Sequence, residues 1–148
     1  MQPIANGLTS IINSQEGLYT LYLRGSEKGA KVDRKRVISV VDRCYNPYES
    51  ADWEKVKEIA KSPELEHIAS NTTEAGIVYD PSVKKDDEPQ NSFPGKLTSL
   101  LYERFKAGQK GVTILSCELI DNNGKELKKC VEQHAKDWDL GDDFLTYI

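Results

Sequence analysis

Residues 112–117 read Val-Thr-Ile-Leu-Ser-Cys, a short, apolar and β-branched run. It stands between two segments whose apolar residues recur at helical spacing. Leu97, Leu100, Leu101 and Phe105 precede it. Leu127, Cys130, Val131, His134, Ala135 and Trp138 follow it. Such a run between two amphipathic helices reads as a buried strand of a parallel sheet. Pro94 occupies a position that a helix's first turn tolerates, and Gly108 and Gly111 bracket the exit from that helix. Asn123 followed three residues later by Glu126 has the spacing of a capping box at the start of the last helix.

The same alternation extends upstream. Residues 67–71 form a second short strand. Residues 51–61 form a helix with Ser50 as its cap and Trp53, Val56 and Ala60 on one face, stopped by Ser62-Pro63. Residues 17–24 and 36–42 are rich in Tyr, Leu, Thr and Val. They read as two strands of a hairpin joined by the charged loop 25–34. Residues 1–16 show no clear period, and 80–90 reads as an exposed loop. Strands and helices in this order predict an α/β fold: a doubly wound, mostly parallel sheet with an inserted β-hairpin. There is no internal repeat.

Composition excludes several function classes. The 148 residues suffice for one domain with a real core. The formal net charge is −4, and the densest basic stretch, 31–36, is broken by Asp33. A nucleic-acid partner would need a basic stripe instead. No apolar run is long enough to span a bilayer, and no signal-peptide pattern is present. Cys44, Cys117 and Cys130 are an odd count with no CxxC spacing. They suit reduced thiols in the cytosol better than a disulfide framework or a zinc site.

The chemistry-bearing candidates are few. The ten glycines never fall as GxGxxG or GxxxxGK, so a self-sufficient phosphate cradle is not expected. Cys117 and His134 could pair as nucleophile and base. His134, however, lies on the apolar stripe of its helix, which favours a packed histidine. Cys130 and His134 are two ligands at best, so no metal is expected. In open α/β sheets ligands bind beyond the carboxyl ends of the strands. Here those ends are 70–74 (Ser-Asn-Thr-Thr-Glu) and 116–124, with Cys117-Glu118 at its start and Asn122-Asn123-Gly124 at its close. From spacing alone, Asn71, Thr72 and Asn123 could equally serve only as caps of helices and turns.

Four segments carry a more specific signal: Val40-Val41-Asp42-Arg43; Ser70-Asn71-Thr72-Thr73-Glu74-Ala75-Gly76; Ser92-Phe93-Pro94-Gly95-Lys96-Leu97-Thr98; and Cys117-Glu118-Leu119-Ile120-Asp121-Asn122-Asn123-Gly124. With Gln15-Glu16-Gly17-Leu18-Tyr19-Thr20 and Tyr102-Glu103-Arg104-Phe105, they make the chain resemble the uronate branch of the long-chain mannitol dehydrogenase family over nearly its whole length. The resemblance implies an N-terminal Rossmann domain that binds NAD and a helical C-terminal domain. It also implies a reaction that interconverts tagaturonate and altronate in hexuronate breakdown. A lysine of the C-terminal domain would be the general acid/base, without a metal.

On that resemblance residues 1–148 are the later part of the NAD-binding domain. The first βα unit and its glycine turn would precede Met1, and the catalytic lysine would follow Ile148, so no catalytic residue is expected in this chain. The isolated chain would be inactive. Asn71, Thr72 and Glu74 match the turn facing the nicotinamide side of the cofactor. Gln2 stands near the end of the second strand, on the adenosine side. Glu118 and Asn123 match the substrate side. Leu119 stands where the mannitol branch has a carbonyl-polarising asparagine, so that role does not transfer to it. Partners are then NAD and a small sugar acid, with neither nucleic acid nor membrane. Exposed apolar surface at the N-terminal edge and around 144–148 would favour self-association. Two rivals stand beside this reading: a related polyol or mannonate dehydrogenase, and a non-catalytic interaction module with the same fold.

Overall fold

The computed structural model describes Met1 and residues 7–148. The chain divides into two compact units, Met1–Asn46 and Pro47–Ile148.

The first unit holds a short helix α1 (Thr9–Ser14) and two strands, β1 (Tyr19–Glu27) and β2 (Ala30–Ile38). The strands pair antiparallel in continuous register from Tyr19↔Ile38 to Glu27↔Ala30. The expected long loop 25–34 is therefore a two-residue turn. Lys28 and Gly29 both take positive φ, at 52° and 79°, which is the turn whose twist matches a hairpin's. The second strand correspondingly starts and ends earlier than the sequence suggested. Residues 1–16, which showed no period, contain α1. Asn13 clasps Cys44 both ways: its amide donates to the Cys44 carbonyl at 2.9 Å, and its oxygen accepts the Cys44 N–H at 2.8 Å. Gly17 is required by space as well as by its φ of 78°, since a β-carbon there would lie 1.8 Å from the Val41 carbonyl oxygen.

The second unit carries the α/β pattern: α2 (Ser50–Ala60), β3 (His67–Ser70), a 3-10 turn (Glu74–Gly76), α3 (Phe93–Lys106), β4 (Thr113–Ser116), α4 (Asn123–Asp137) and α5 (Asp142–Tyr147). β3 and β4 pair in parallel, His67↔Thr113 through Ser70↔Ser116, with α3 as the crossover that parallel pairing needs. Among the described residues the parallel sheet has these two strands, and the hairpin forms a sheet of its own. Side chains alternate along both strands. Ile68, Ser70, Ile114 and Ser116 turn inward, while His67, Ala69, Thr113 and Leu115 are exposed.

The core is built by α3 and α4. Leu97 and Leu101 meet Leu127, Val131 and Ala135, and Val83, Ile77 and Phe144 close the cluster. Burial of side chains this size is the main stabilising term, about 1.5–3 kcal/mol each. Ser92 caps α3 through its hydroxyl, which accepts the Gly95 N–H at 3.0 Å, with Pro94 in the first turn. Two expectations need correction. The chain end is not an exposed apolar patch: Phe144 is fully buried, edge-on to Tyr102 with ring centres 5.2 Å apart and 5.5 Å from Phe105. The loop 80–90 is not simply solvated, because Val83 and Gln90 are buried.

Candidate functional site

β3 and β4 end side by side, and one more bond extends the ladder: the Cys117 N–H donates to the Ser70 carbonyl at 2.8 Å. Parallel pairing puts both strand-end turns at the same edge of the sheet. Residues 70–76 and 116–124 therefore share one site although they are far apart in sequence.

Glu118 joins them. Its side chain is 3% exposed. One carboxylate oxygen accepts the Thr72 N–H and the Thr72 hydroxyl, each at 3.1 Å, and the other accepts the Ser70 hydroxyl at 3.2 Å. A buried carboxylate needs such donors to stay charged. Burial pushes the Glu118 carboxyl up, and the hydrogen bonds from Thr72 and Ser70 outweigh it, leaving the group below its ordinary value. Gly76 completes the turn, since a β-carbon there would meet the Thr72 hydroxyl oxygen at 2.1 Å.

Asn123 fixes the other side. The expected capping box is absent, because Asn122 in the left-handed region precedes α4 and makes no side-chain cap. Asn123 is instead turned back to the strand end. Its amide nitrogen donates to the Ser116 carbonyl at 2.7 Å and the Glu118 carbonyl at 3.0 Å, and its oxygen accepts the Gly124 N–H at 2.7 Å. Glu126 meets Lys129 at 2.6 Å on the helix surface.

Thus the structure brings Thr72, Glu118 and Asn123 into one network. Asn71 and Glu74 are exposed beside it. Gln2 lies outside the described residues. Ser70 and Gly76 belong to the site and were visible in sequence only as members of a motif. Leu119 stands out from the same loop at 87% exposure, next to exposed Cys117. The conceivable Cys117–His134 pair does not form. His134 is 0% exposed and packed between Tyr79 and Trp138, each with ring centres 5.0 Å away. Among the described residues no cluster of three or more His, Cys, Asp or Glu could hold a metal.

This edge offers an exposed amide and an exposed carboxylate on a hydrogen-bonded, rigid floor. It suits hydroxyl and amide groups of a ligand. It holds no glycine loop for a pyrophosphate.

The comparisons with known proteins agree with the α/β fold. Residues 3–146 match the family described as the mannitol dehydrogenase Rossmann domain. The chain is 43% identical over its whole length to the altronate oxidoreductase of Bacteroides thetaiotaomicron and 41% identical to that of Bacillus subtilis. It spans 31% of the length of each of these relatives. Among solved structures it resembles a substrate-free D-sorbitol dehydrogenase, with a TM-score of 0.77 at 22% identity, over 95% of this chain and 30% of that one. It likewise resembles Pseudomonas fluorescens mannitol 2-dehydrogenase in ternary complex with NAD and D-mannitol, with a TM-score of 0.78 at 20% identity and the same coverage. The match across residues 3–146 places this chain in the mannitol dehydrogenase family, through its Rossmann domain.

Proposed function

We propose that the chain is the later part of the NAD-binding domain of an oxidoreductase that interconverts D-tagaturonate and D-altronate. The observation that carries this reading is the match to altronate oxidoreductases across the whole chain at 43% identity. The strand-end site adds chemical support. Exposed Asn71 and Glu74, on the turn held by Thr72, offer an amide and a carboxylate that suit the carboxamide and ribose hydroxyls of a nicotinamide nucleoside. Gln2 belongs to the adenosine side on the same reading. Glu118 and Asn123 shape the substrate side. The residues present fit the nicotinamide end of NAD, while the pyrophosphate has no glycine loop in this chain. NAD, when bound, supplies hydride transfer. These residues hold and orient it.

The chain itself contributes no catalytic residue to this proposal, so residues 1–148 alone are expected to be inactive. A reducing compartment such as the cytosol suits its three unbonded cysteines, and no helix among the described residues is long and apolar enough to cross a membrane. The test is an activity panel on the full-length protein that carries this segment, following NADH formation with altronate, mannonate and mannitol. NAD-dependent oxidation of altronate above the other two supports the proposal. Oxidation of mannitol or mannonate but not altronate moves the protein to another branch of the family. No oxidation of any of them leaves a non-catalytic module as the surviving reading.

A further inference from the structure

We propose that Glu118 is a positioning residue that acts through the β3-end turn and does not touch the substrate. The inference rests on the oxidoreductase reading above and concerns what this acid does within it. An acidic residue at the substrate side of a sugar-acid site would ordinarily be taken as a contact for sugar hydroxyls. The geometry points elsewhere. Both Glu118 oxygens are engaged by Ser70 and Thr72, and the side chain is 3% exposed. A charged carboxylate so placed is also poorly suited to meet a substrate that carries a carboxylate of its own.

What Glu118 does control is the path of the turn. The Thr72 N–H is the first backbone donor beyond β3 but one, and Glu118 is its only hydrogen-bond partner among the described residues. The Thr72 hydroxyl is held on the same oxygen, against a glycine that leaves it no slack. Glu118 is itself fixed at its carbonyl by Asn123, the first residue of α4. The rigid helix, the acid and the turn thus form one chain of contacts that ends at Asn71 and Glu74. Hydride transfer depends steeply on placement, with a shift of about 1 Å costing on the order of 100-fold in rate. A loosened turn would displace the nicotinamide end and leave the sugar's own contacts in place.

The experiment compares Glu118→Ala, Glu118→Gln and Thr72→Val with the wild type in the full-length enzyme, with rates normalised to the fraction that binds NADH. The Gln amide oxygen can still accept both Thr72 donors, and its NH2 can donate to the Ser70 oxygen. Glu118→Gln should therefore keep kcat within about threefold. Glu118→Ala should lower kcat by about 10- to 100-fold with the altronate KM changed less than about twofold. Thr72→Val, which keeps the amide but loses the hydroxyl, should fall between them. If Glu118→Gln is as damaging as Glu118→Ala, or if the altronate KM rises with kcat intact, the acid contacts substrate through its charge and the proposal is overturned. Unchanged kinetics in all three variants also overturn it. A wild type that oxidises none of the sugars would sink the oxidoreductase reading alone. The clamp would then be judged by Thr72 amide hydrogen exchange in this chain, which Glu118→Ala should accelerate at least tenfold relative to Glu118→Gln; equal exchange in the two would refute it.

Discussion

His134 is fully buried, and among the described residues neither of its ring nitrogens has a hydrogen-bond partner. It serves as a flat slab between Tyr79 and Trp138. Burial pushes its pKa below the ordinary 6.5, against the opposing pull of Asp137 and Asp80. The folded protein therefore keeps it neutral at pH values where the unfolded chain already takes up a proton. With the folded pKa depressed, stability is fully present above about pH 6.5 and declines as pH falls below that value, until the folded pKa is passed. The slope reaches at most about 1.4 kcal/mol per pH unit. Urea unfolding at pH 7.5 and at pH 5.5 should show this loss, and His134→Phe, which keeps the slab, should remove most of it. An equal loss in the variant would assign the effect to other groups. Glu118 does not interfere in that window, because its own depressed pKa brings acid instability only below its ordinary 4.5. The sequence placed His134 on the buried stripe correctly, since helical period alone decides that. It could not show the missing partners, because the stacking rings come from residues 79 and 138 and the absence of donors is a property of packing.

At the scale of the element, one side chain joins two connections. Arg104, on the inner face of α3 and 3% exposed, donates to the carbonyls of Ala60 at 2.9 Å, Ser62 at 2.6 Å, Leu65 at 2.9 Å and Lys110 at 2.7 Å. The last carbonyls of a helix have no partner within it. Here a guanidinium fork satisfies the end of α2 and the loops leading into β3 and β4, with its charge at the negative end of the helix dipole. Arg104→Ala should cost about 3–5 kcal/mol, since it strands several buried acceptors at once. Arg104→Lys should recover only part of that, because one ammonium cannot span the fork. Denaturant melts of the two variants test the order, and equal stability of Ala and Lys variants would refute the capping role. Arg104 was visible in sequence inside a family-like motif, yet nothing local named its partners, since Ala60, Ser62 and Leu65 lie about forty residues upstream. The hairpin ends misled for the opposite reason. β1 is exposed along its whole length and β2 nearly so. No inward–outward alternation marks their register, and a turn opening on lysine in the left-handed region has weak local signal.

For the whole molecule, the alternating half was legible because short strand-like runs stand between segments whose apolar residues recur at helical spacing. The strands at 67–71 and 112–117 and the helices around them fall close to β3, α3, β4 and α4. The strand-end site followed from the rule that places ligands beyond parallel strands. Its internal wiring did not, because hydrogen bonds between residues 46 and 48 apart leave no trace in spacing. The two units also differ in what holds them. The buried apolar cluster lies wholly within Pro47–Ile148, whereas β1 and β2 rest on their ladder, the Arg24–Asp33 and Arg34–Glu27 ion pairs and the Tyr22 ring beneath Arg24 and Lys35. Exposed ion pairs contribute about 0–1 kcal/mol, and a two-stranded hairpin is marginal without a buried face. Hydrogen exchange should therefore separate them. Amides of 19–38 should open at no more than about 2 kcal/mol, while those of 97–104 and 127–135 should exchange only with global unfolding, at several kcal/mol above that. Measured across a dilution series, protection of 19–38 that stays low supports a hairpin held by its ladder alone. Protection there equal to that of α4 at every concentration would refute it, and protection that rises with concentration would show copies of the chain pairing through the exposed Tyr19, Leu21 and Leu23 face.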